Sequence, residues 1–240
     1  MRLLIAIKSC QRDKYAGCHQ AIRETWGANL PQGVDLLFFM GGDIKDIVGM
    51  KEDERHLSVD DGYWPSTPKM LAIMRYAVRE DYDFALLCDT DTYLHVPGLM
   101  KVGFENYDYS GALSGGRAWK NSPGWAFGEA HTGCYSDHGN FLVNPRYSYM
   151  SGGHGYIVSN RAAKVIITLK TKIQEGEDML AGWVLGPFFK DGELTARDLP
   201  GFKDVIAFHL NCGFYGGGHE QRLDPASAVR RKHKEFTEVK

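Results

Sequence analysis

Phe84-Ala85-Leu86-Leu87-Cys88 runs without a break into Asp89-Thr90-Asp91-Thr92-Tyr93-Leu94. Five apolar or small residues match the length of a buried strand and are too few for a helix. The strand ends on two carboxylates in an Asp-x-Asp arrangement. In an open α/β sheet ligands sit outside the carboxyl ends of the strands, so these acids fall where a substrate binds. Two hard oxygen donors there suit a divalent cation that keeps several waters and shares a phosphate. The reading that follows is a metal-bridged diphosphate. The plainer reading is a strand followed by an acidic turn, and Asp-x-Asp alone is too common to separate the two.

The rest of the chain supplies an α/β frame for that strand. Leu3–Ile7 and Leu36–Met40 are short continuous apolar runs, suited to strands covered on both faces. Gln20–Trp26 between them reads as helical or turn-like and carries Arg23. A polar, acidic segment from Gly41-Gly42 to Asp61 predicts a short helix plus irregular chain. Ser66-Thr67-Pro68 then opens a helix, with Thr67 as cap and Pro68 in the first turn. Met70, Leu71, Met74, Ala77 and Val78 recur at helical spacing, and Asp81 and Asp83 close the helix before the Phe84 strand. Such alternation predicts a mostly parallel sheet flanked by helices, with right-handed crossovers.

Residues 110–150 break the pattern, being rich in Gly, Trp, Tyr, Asn and Ser with little periodicity. A long irregular stretch inside a compact domain suits a lid or a substrate-binding loop. Trp119, Trp125 and Tyr135 in it are candidates to stack on an acceptor ring, or equally to pack the loop onto the core. Order resumes with Gly152-Gly153-His154-Gly155, a tight turn into a strand over Tyr156–Ser159. Asn160 is expected to cap a helix reaching about Leu169. Another helix is expected from Glu177-Asp178 to Leu185. With no repeat and no linker, the chain reads as one domain over 1–240. Its nucleotide-binding half spans about 1–100, its acceptor and catalytic half about 101–215, and a tail 216–240.

Composition narrows the function. The 240 residues are 43% hydrophobic and 24% charged with a net charge of −2, so no overall basic field attracts nucleic acid or membrane. Arg230-Arg231-Lys232-His233-Lys234 is the exception, read as a solvated helix end or a polyanion contact. Five dispersed cysteines without a C-x-x-C pair fit neither a zinc ribbon nor a dense disulfide framework. His131-x-x-Cys134 with His138 nearby reads as a polar loop. The start lacks signal-peptide organisation, and no apolar run reaches the ~18 residues a membrane span needs. A cytoplasmic location, in a bacterial or virus-infected cell, is the expectation. Lys8-Ser9-Cys10-Gln11 after the first strand is no dinucleotide fingerprint, and neither a P-loop nor a G-x-S-x-G elbow occurs.

Ordered blocks along the chain carry a resemblance. Ala21-Ile22-Arg23-Glu24-Thr25-Trp26-Gly27, Phe39-Met40-Gly41, Asp61-x-Tyr63 with Thr67-x-Lys69, Asp89-Thr90-Asp91-Thr92-Tyr93, Gly152-Gly153-His154-Gly155-Tyr156 and Glu177-Asp178-Met179 follow in sequence. Together they resemble the β-1,3-glycosyltransferase family that includes Fringe and the β-1,3-galactosyltransferases, over roughly residues 3 to 210. The resemblance implies a glycosyltransferase A-type fold, a nucleotide-diphosphate sugar donor such as a UDP-sugar, Mn²⁺ or Mg²⁺, and inversion at the anomeric carbon. Asp91 then corresponds to a direct metal ligand and Asp89 to a contact with donor ribose or metal waters. Thr90 replaces an acid usual in the family. A C-terminal histidine is implied as a further ligand: His209 in Ala207-Phe208-His209-Leu210, with His219 after Gly216-Gly217-Gly218 as the rival. Asp178 matches the family's base, with Glu177 beside it. Helix N-terminal charge alone would also account for that acidic pair.

Other residues take roles from chemistry and position. Arg23 and Lys69 are cations for a departing diphosphate or partners in structural ion pairs. Ser9, just past the first strand, is expected to face the nucleotide. Gly152, Gly153 and Gly155 permit close approach to a sugar, and His154 is a candidate for sugar selection. The acceptor stays open: a saccharide, a lipid-linked glycan, a protein side chain or a hydroxylated DNA base. A metal-dependent nucleotide-sugar or phosphoester hydrolase would use the same Asp pair with water. A non-catalytic carbohydrate-binding module would explain the aromatic loop but leave Asp89, Asp91 and Asp178 without a role.

Overall fold

A computed structural model describes residues 1–46, 48–61, 66–114, 149–170, 176–199, 201–210 and 224–238. Its centre is set by three apolar strands. β1 (Leu3–Lys8), β2 (Val34–Met40) and β4 (Phe84–Asp89) lie side by side and parallel, with Ile5 opposite both Leu36 and Leu86. β1 is buried along its whole length. Successive side chains of a strand point to opposite faces. Leu4 and Ala6 accordingly enter one core, and Leu3, Ile5 and Ile7 the other.

Helices cover both faces. α3 (Ser66–Arg79), α5 (Asn160–Ile166) and α6 (Glu177–Lys190) seal the first core through Met70, Ile73, Met74, Ala163, Ile166, Leu180 and Leu185. α2 (Cys18–Glu24), α4 (Val96–Leu99) and α7 (Pro225–Glu238) seal the second through Ala21, Ile22, Val96, Leu99, Ala226 and Val229. Each fully buried aliphatic side chain contributes roughly 1.5–3 kcal/mol. The basic run 230–234 therefore belongs to a packed helix. Arg230 pairs with Glu24, and His233 Nδ1 lies 3.1 Å from the Tyr93 hydroxyl.

The strand order is β10-β6-β9-β4-β1-β2-β3, where β3 is Glu54–His56, β6 Tyr109–Gly111, β9 Tyr156–Ser159 and β10 Ala196–Asp198. The sheet is mixed rather than wholly parallel, because β9 runs antiparallel to both β4 and β6. Two short antiparallel pairs stand beside it, β5 (Thr92–Leu94) with β11 (Ala207–His209) and β7 (Leu113–Ser114) with β8 (Tyr149–Met150).

Four local expectations are corrected. The acidic segment before Asp61 holds the expected short helix at Ile44–Asp46 but also β3, paired parallel to β2, because the backbone of a sheet edge offers partners that polarity does not advertise. Thr67 lies inside the first turn of α3, fully buried, not ahead of it. Ser159 caps α5, its side chain accepting from the Ala162 amide, and Asn160 is the first helical residue in a helix that stops at Ile166. α6 continues past Leu185 to Lys190 through Pro187, since its apolar residues pack all along the first core. Among the cysteines, Cys10, Cys18 and Cys88 are free thiols. Tyr63, Trp119, Trp125, His131, Cys134, Tyr135, His138, Cys212 and His219 lie outside the described residues.

Candidate active site

Two separate pieces of chain meet at the carboxyl end of β4. After Asp89 the backbone turns through Thr90 and Asp91 into β5, and β5 pairs with β11 so that Thr92 lies opposite His209. The Leu210 amide donates to the Asp91 carbonyl at 3.0 Å, locking the turn to the strand that carries the histidine. His209 Nε2 comes within 3.4 Å of Asp91 Oδ2. One ligand atom from each of Asp89, Asp91 and His209 lies within 4.8 Å of the other two. Two carboxylates and an imidazole form a donor set that could hold a divalent cation. Asp91 is buried, while Asp89 and His209 are each partly open. Burial holds Asp89 above the ordinary carboxylate range, against the pull of Lys8, and the like charge of Asp91 adds to the rise.

Lys8 is the cation at the centre. It ends β1 in register with Asp89, and its Nζ lies 3.2 Å from Asp89 Oδ1 while also ion-pairing with Glu177 Oε1. Burial works against this ammonium, but Asp89 and Glu177 together outweigh it and hold its pKa well above the usual lysine value. The sequence reading passed over Lys8. Its signal was a lysine closing a fully apolar run whose neighbour strand closes on an aspartate.

Glu177 and Asp178 open α6 and are driven apart in acidity. Burial works against ionised Glu177, yet the charge and hydrogen bond of Lys8 pull its pKa down. For Asp178, burial first and then the Glu177 charge outweigh the pulls of the Gly152 amide, Lys8 and the Met179 amide and raise it to about 6. Its two oxygens are aimed by backbone donors, Oδ2 accepting from Gly152 N–H at 2.9 Å and Oδ1 from Met179 N–H at 2.8 Å.

Adjacent glycines connect the two halves of the site. A Cβ on Gly152 would stand 3.0 Å from Glu177 Oε1 and 3.1 Å from Asp178 Oδ2; one on Gly153 would stand 2.5 Å from His209 Nδ1. The Gly153 carbonyl also accepts from the Thr92 hydroxyl at 2.9 Å. The acid pair and the imidazole thus press on consecutive residues of one turn. Gly155, at φ +90°, completes that turn against Cys88 and Leu87. His154 packs edge-on to His209, with its Nδ1 3.1 Å from Ser151 Oγ. The Tyr156 hydroxyl, fully buried, has no hydrogen-bond partner among the described residues, and its charged neighbours include Glu177 and Lys8.

The remaining expected residues form a second group. Lys69 Nζ donates to the Ser9 carbonyl at 2.6 Å and lies 3.2 Å from Asp61 Oδ1. Asp61 in turn accepts from the Gln11 and Gly41 amides. The Ser9 hydroxyl lies 2.6 Å from His19 Nε2. Thr90 donates to Asp13 Oδ2 at 2.7 Å, which brings a carboxylate from α1 (Gln11–Tyr15) against the Asp-x-Asp turn. Arg23 faces elsewhere: it forks onto Asp53 with two bonds of 2.7 Å and reaches Glu54 at 2.8 Å. His19, Glu54 and Asp13 are further residues that sequence reading did not single out, since only folding brings them beside Ser9 and Thr90.

Comparison with known proteins gives the family. A galactosyltransferase family model matches residues 19–188. No curated protein matches the chain by sequence. Among solved structures that resemble it is the galactosyltransferase LgtC in complex with donor and acceptor sugar analogs. That chain is 11% identical with a TM-score of 0.46, over 100% of this chain and 98% of that one.

Proposed function

Since the chain belongs to the galactosyltransferase family, we propose that it is an inverting, metal-dependent glycosyltransferase that moves a sugar from a UDP-sugar to an acceptor hydroxyl. The observation that supports this best is the junction at Gly152-Gly153, which sets Asp178 against the first glycine and His209 of the Asp89–Asp91–His209 cluster against the second. Metal-assisted leaving-group departure and general-base catalysis need those two functions side by side.

Asp89, Asp91 and His209 would hold the cation, Mn²⁺ or Mg²⁺. When bound it offsets negative charge on the departing diphosphate without a proton donor. Asp178, with a pKa of about 6, is mostly ionised at neutral pH yet basic enough to take the proton of an attacking hydroxyl. Its hydrogen bonds to Gly152 and Met179 leave lone pairs for that proton. Lys8 keeps Glu177 ionised, and Glu177 in turn raises Asp178. Ser9, just past β1, and Lys69, which reaches the Ser9 carbonyl from α3, would take the nucleotide side. Arg23 acts through Glu54 rather than on the donor. Water as acceptor would turn the same machinery into a hydrolase, a rival distinguished by product analysis. The glycosyltransferase A-type description, a single domain over 1–240 and an acceptor among saccharide, lipid-linked glycan, protein or hydroxylated base complete the reading.

Calorimetry of UDP binding with Mn²⁺ and with chelator tests it. Binding that requires metal, and is lost in Asp91→Ala, is the expected result. Full turnover of Asp91→Ala with metal removed would sink the mechanism.

A further inference from the structure

The ribbon that carries His209 and follows Asp91 is too short to stand by itself. β5 and β11 pair over three residues each, Thr92 opposite His209, Tyr93 opposite Phe208 and Leu94 opposite Ala207. An isolated two-stranded pair is marginal at best in water. Leu94 and Ala207 anchor its far end, both fully buried in the second core. At the near end the Thr92 hydroxyl donates to the Gly153 carbonyl, and Asp91 meets His209. Successive side chains of a strand alternate between faces. Tyr93 and Phe208 therefore point away from the Thr92–His209 side, and what they meet is α7.

Two side chains of α7 grip both strands. Phe236 stacks on Tyr93 of β5, ring centroids 5.3 Å apart at 23°, and packs edge-on to Phe208 of β11 at 5.3 Å and 65°. It also lies against His95, just past β5, at 5.3 Å and 26°. One turn earlier His233 brings its Nδ1 to 3.1 Å from the hydroxyl of Tyr93, which is 3% exposed. Positions three apart share a helix face, so both grips come from one side of α7. Lys232 Nζ closes the cluster 4.4 Å from the centre of the Phe208 ring. Arg230, Lys232 and His233 of the basic run thus hold the helix to the body of the protein.

We infer that His233 and Phe236 are positioning residues for the candidate metal cluster: clamping Tyr93 and Phe208 from behind, they hold Asp91 and His209 at ligating separation. Tyr93 is two residues from Asp91, and Phe208 is next to His209. A loosened α7 would let these two strand ends move relative to each other and to Asp89 on β4. The two ligands come from distant parts of the chain, so their spacing depends on the contacts between β5, β11 and whatever covers them. The inference rests on the metal-dependent reading and deepens it by naming what sets the ligand geometry. It also gives the basic end of the chain a role that needs no polyanion.

Two measurements decide it. Calorimetry of UDP binding over a series of Mn²⁺ concentrations gives the Mn²⁺ needed for half-maximal binding. Phe236→Ala and His233→Ala should each raise it about tenfold, the low end of what loss of a supporting contact does to metal affinity. Phe236→Tyr keeps the stacked ring and should match the wild type. Arg230→Ala, which removes the pairing of the same helix with Glu24, should match it too. A lower Tm with an unchanged Mn²⁺ requirement in both Ala variants of the clamp overturns the inference and leaves the metal reading intact. An Arg230→Ala effect as large as theirs does the same. A wild type that binds UDP equally well without Mn²⁺, or not at all, overturns both. Hydrogen exchange of the wild type is independent of how any variant folds. Coupling between sites is reciprocal, so Mn²⁺ with UDP should slow amide exchange around His233 and Phe236 relative to UDP with chelator. Equal rates overturn the inference.

Discussion

Lys8 and Asp89 are register partners in adjacent parallel strands, and their side chains meet, Nζ to Oδ1 at 3.2 Å. The same ammonium pairs with Glu177 from a helix far along the chain. One buried cation is therefore shared between an acid of the candidate metal cluster and the acid next to the proposed base. Charge balance in the site is shared across three elements, and no single acid there can be read in isolation.

Lys8→Met should expose how much that balance matters. It leaves Glu177 buried without its cation, and breaking a buried pair from one side costs about 3–5 kcal/mol. Urea unfolding should show a loss of that size. A loss below about 1 kcal/mol would mean that Glu177 is neutral in the folded chain.

The Asp178 carboxyl sets a pH signature. Its folded pKa of about 6 is above the ordinary aspartate value near 3.9, so the folded chain binds the extra proton more tightly. Asp178 therefore favours folding fully below about pH 4, and that contribution is lost as pH rises through about 6. Catalysis has the opposite sign: the base must be ionised, so kcat should fall below about pH 6. Asp178→Asn should lower kcat by roughly 10²–10⁴ with UDP binding retained. A variant whose kcat stays within tenfold would remove Asp178 from the role of base.

The paired glycines allow metal and base to be perturbed separately. Gly153→Ala drives a methyl against the His209 ring and should weaken Mn²⁺ binding by about 10- to 100-fold, as loss of a supporting contact does elsewhere. Gly152→Ala crowds Asp178 and Glu177 instead and should reduce kcat with metal affinity nearly intact. Identical profiles for the two variants, by metal titration and steady-state kinetics, would contradict the arrangement.

Glu54 is the hub for Lys14, His19 and Arg23. Its depressed pKa means that it stabilises the fold above the ordinary glutamate value near 4.3, and that this is lost as pH falls toward about 2. Glu54→Gln should destabilise the chain at neutral pH by on the order of 3 kcal/mol, because Arg23 and Lys14 lose their shared acid. Acid titration of unfolding should become shallower in the same window. Equal acid sensitivity in both proteins would assign the transition to other carboxylates.

Sequence pattern alone carried the frame of this protein. Uninterrupted apolar runs at β1, β2 and β4 can be buried only between two helical layers, and the ordered blocks around Asp89, Gly152 and Glu177 marked the family. Asp-x-Asp at a strand end is local chemistry at a place the fold makes special. What lay beyond the sequence was everything that depends on which distant residues meet. Lys8 finds Asp89 only through strand register, and His209 finds Asp91 only through the β5–β11 pair. Arg23, a plausible phosphate ligand by type, is claimed by Asp53 and Glu54 because a short edge strand puts them in reach. Acidities diverged for the same reason: Glu177 and Asp178 are neighbours in sequence, and only the tertiary structure gives one of them a lysine.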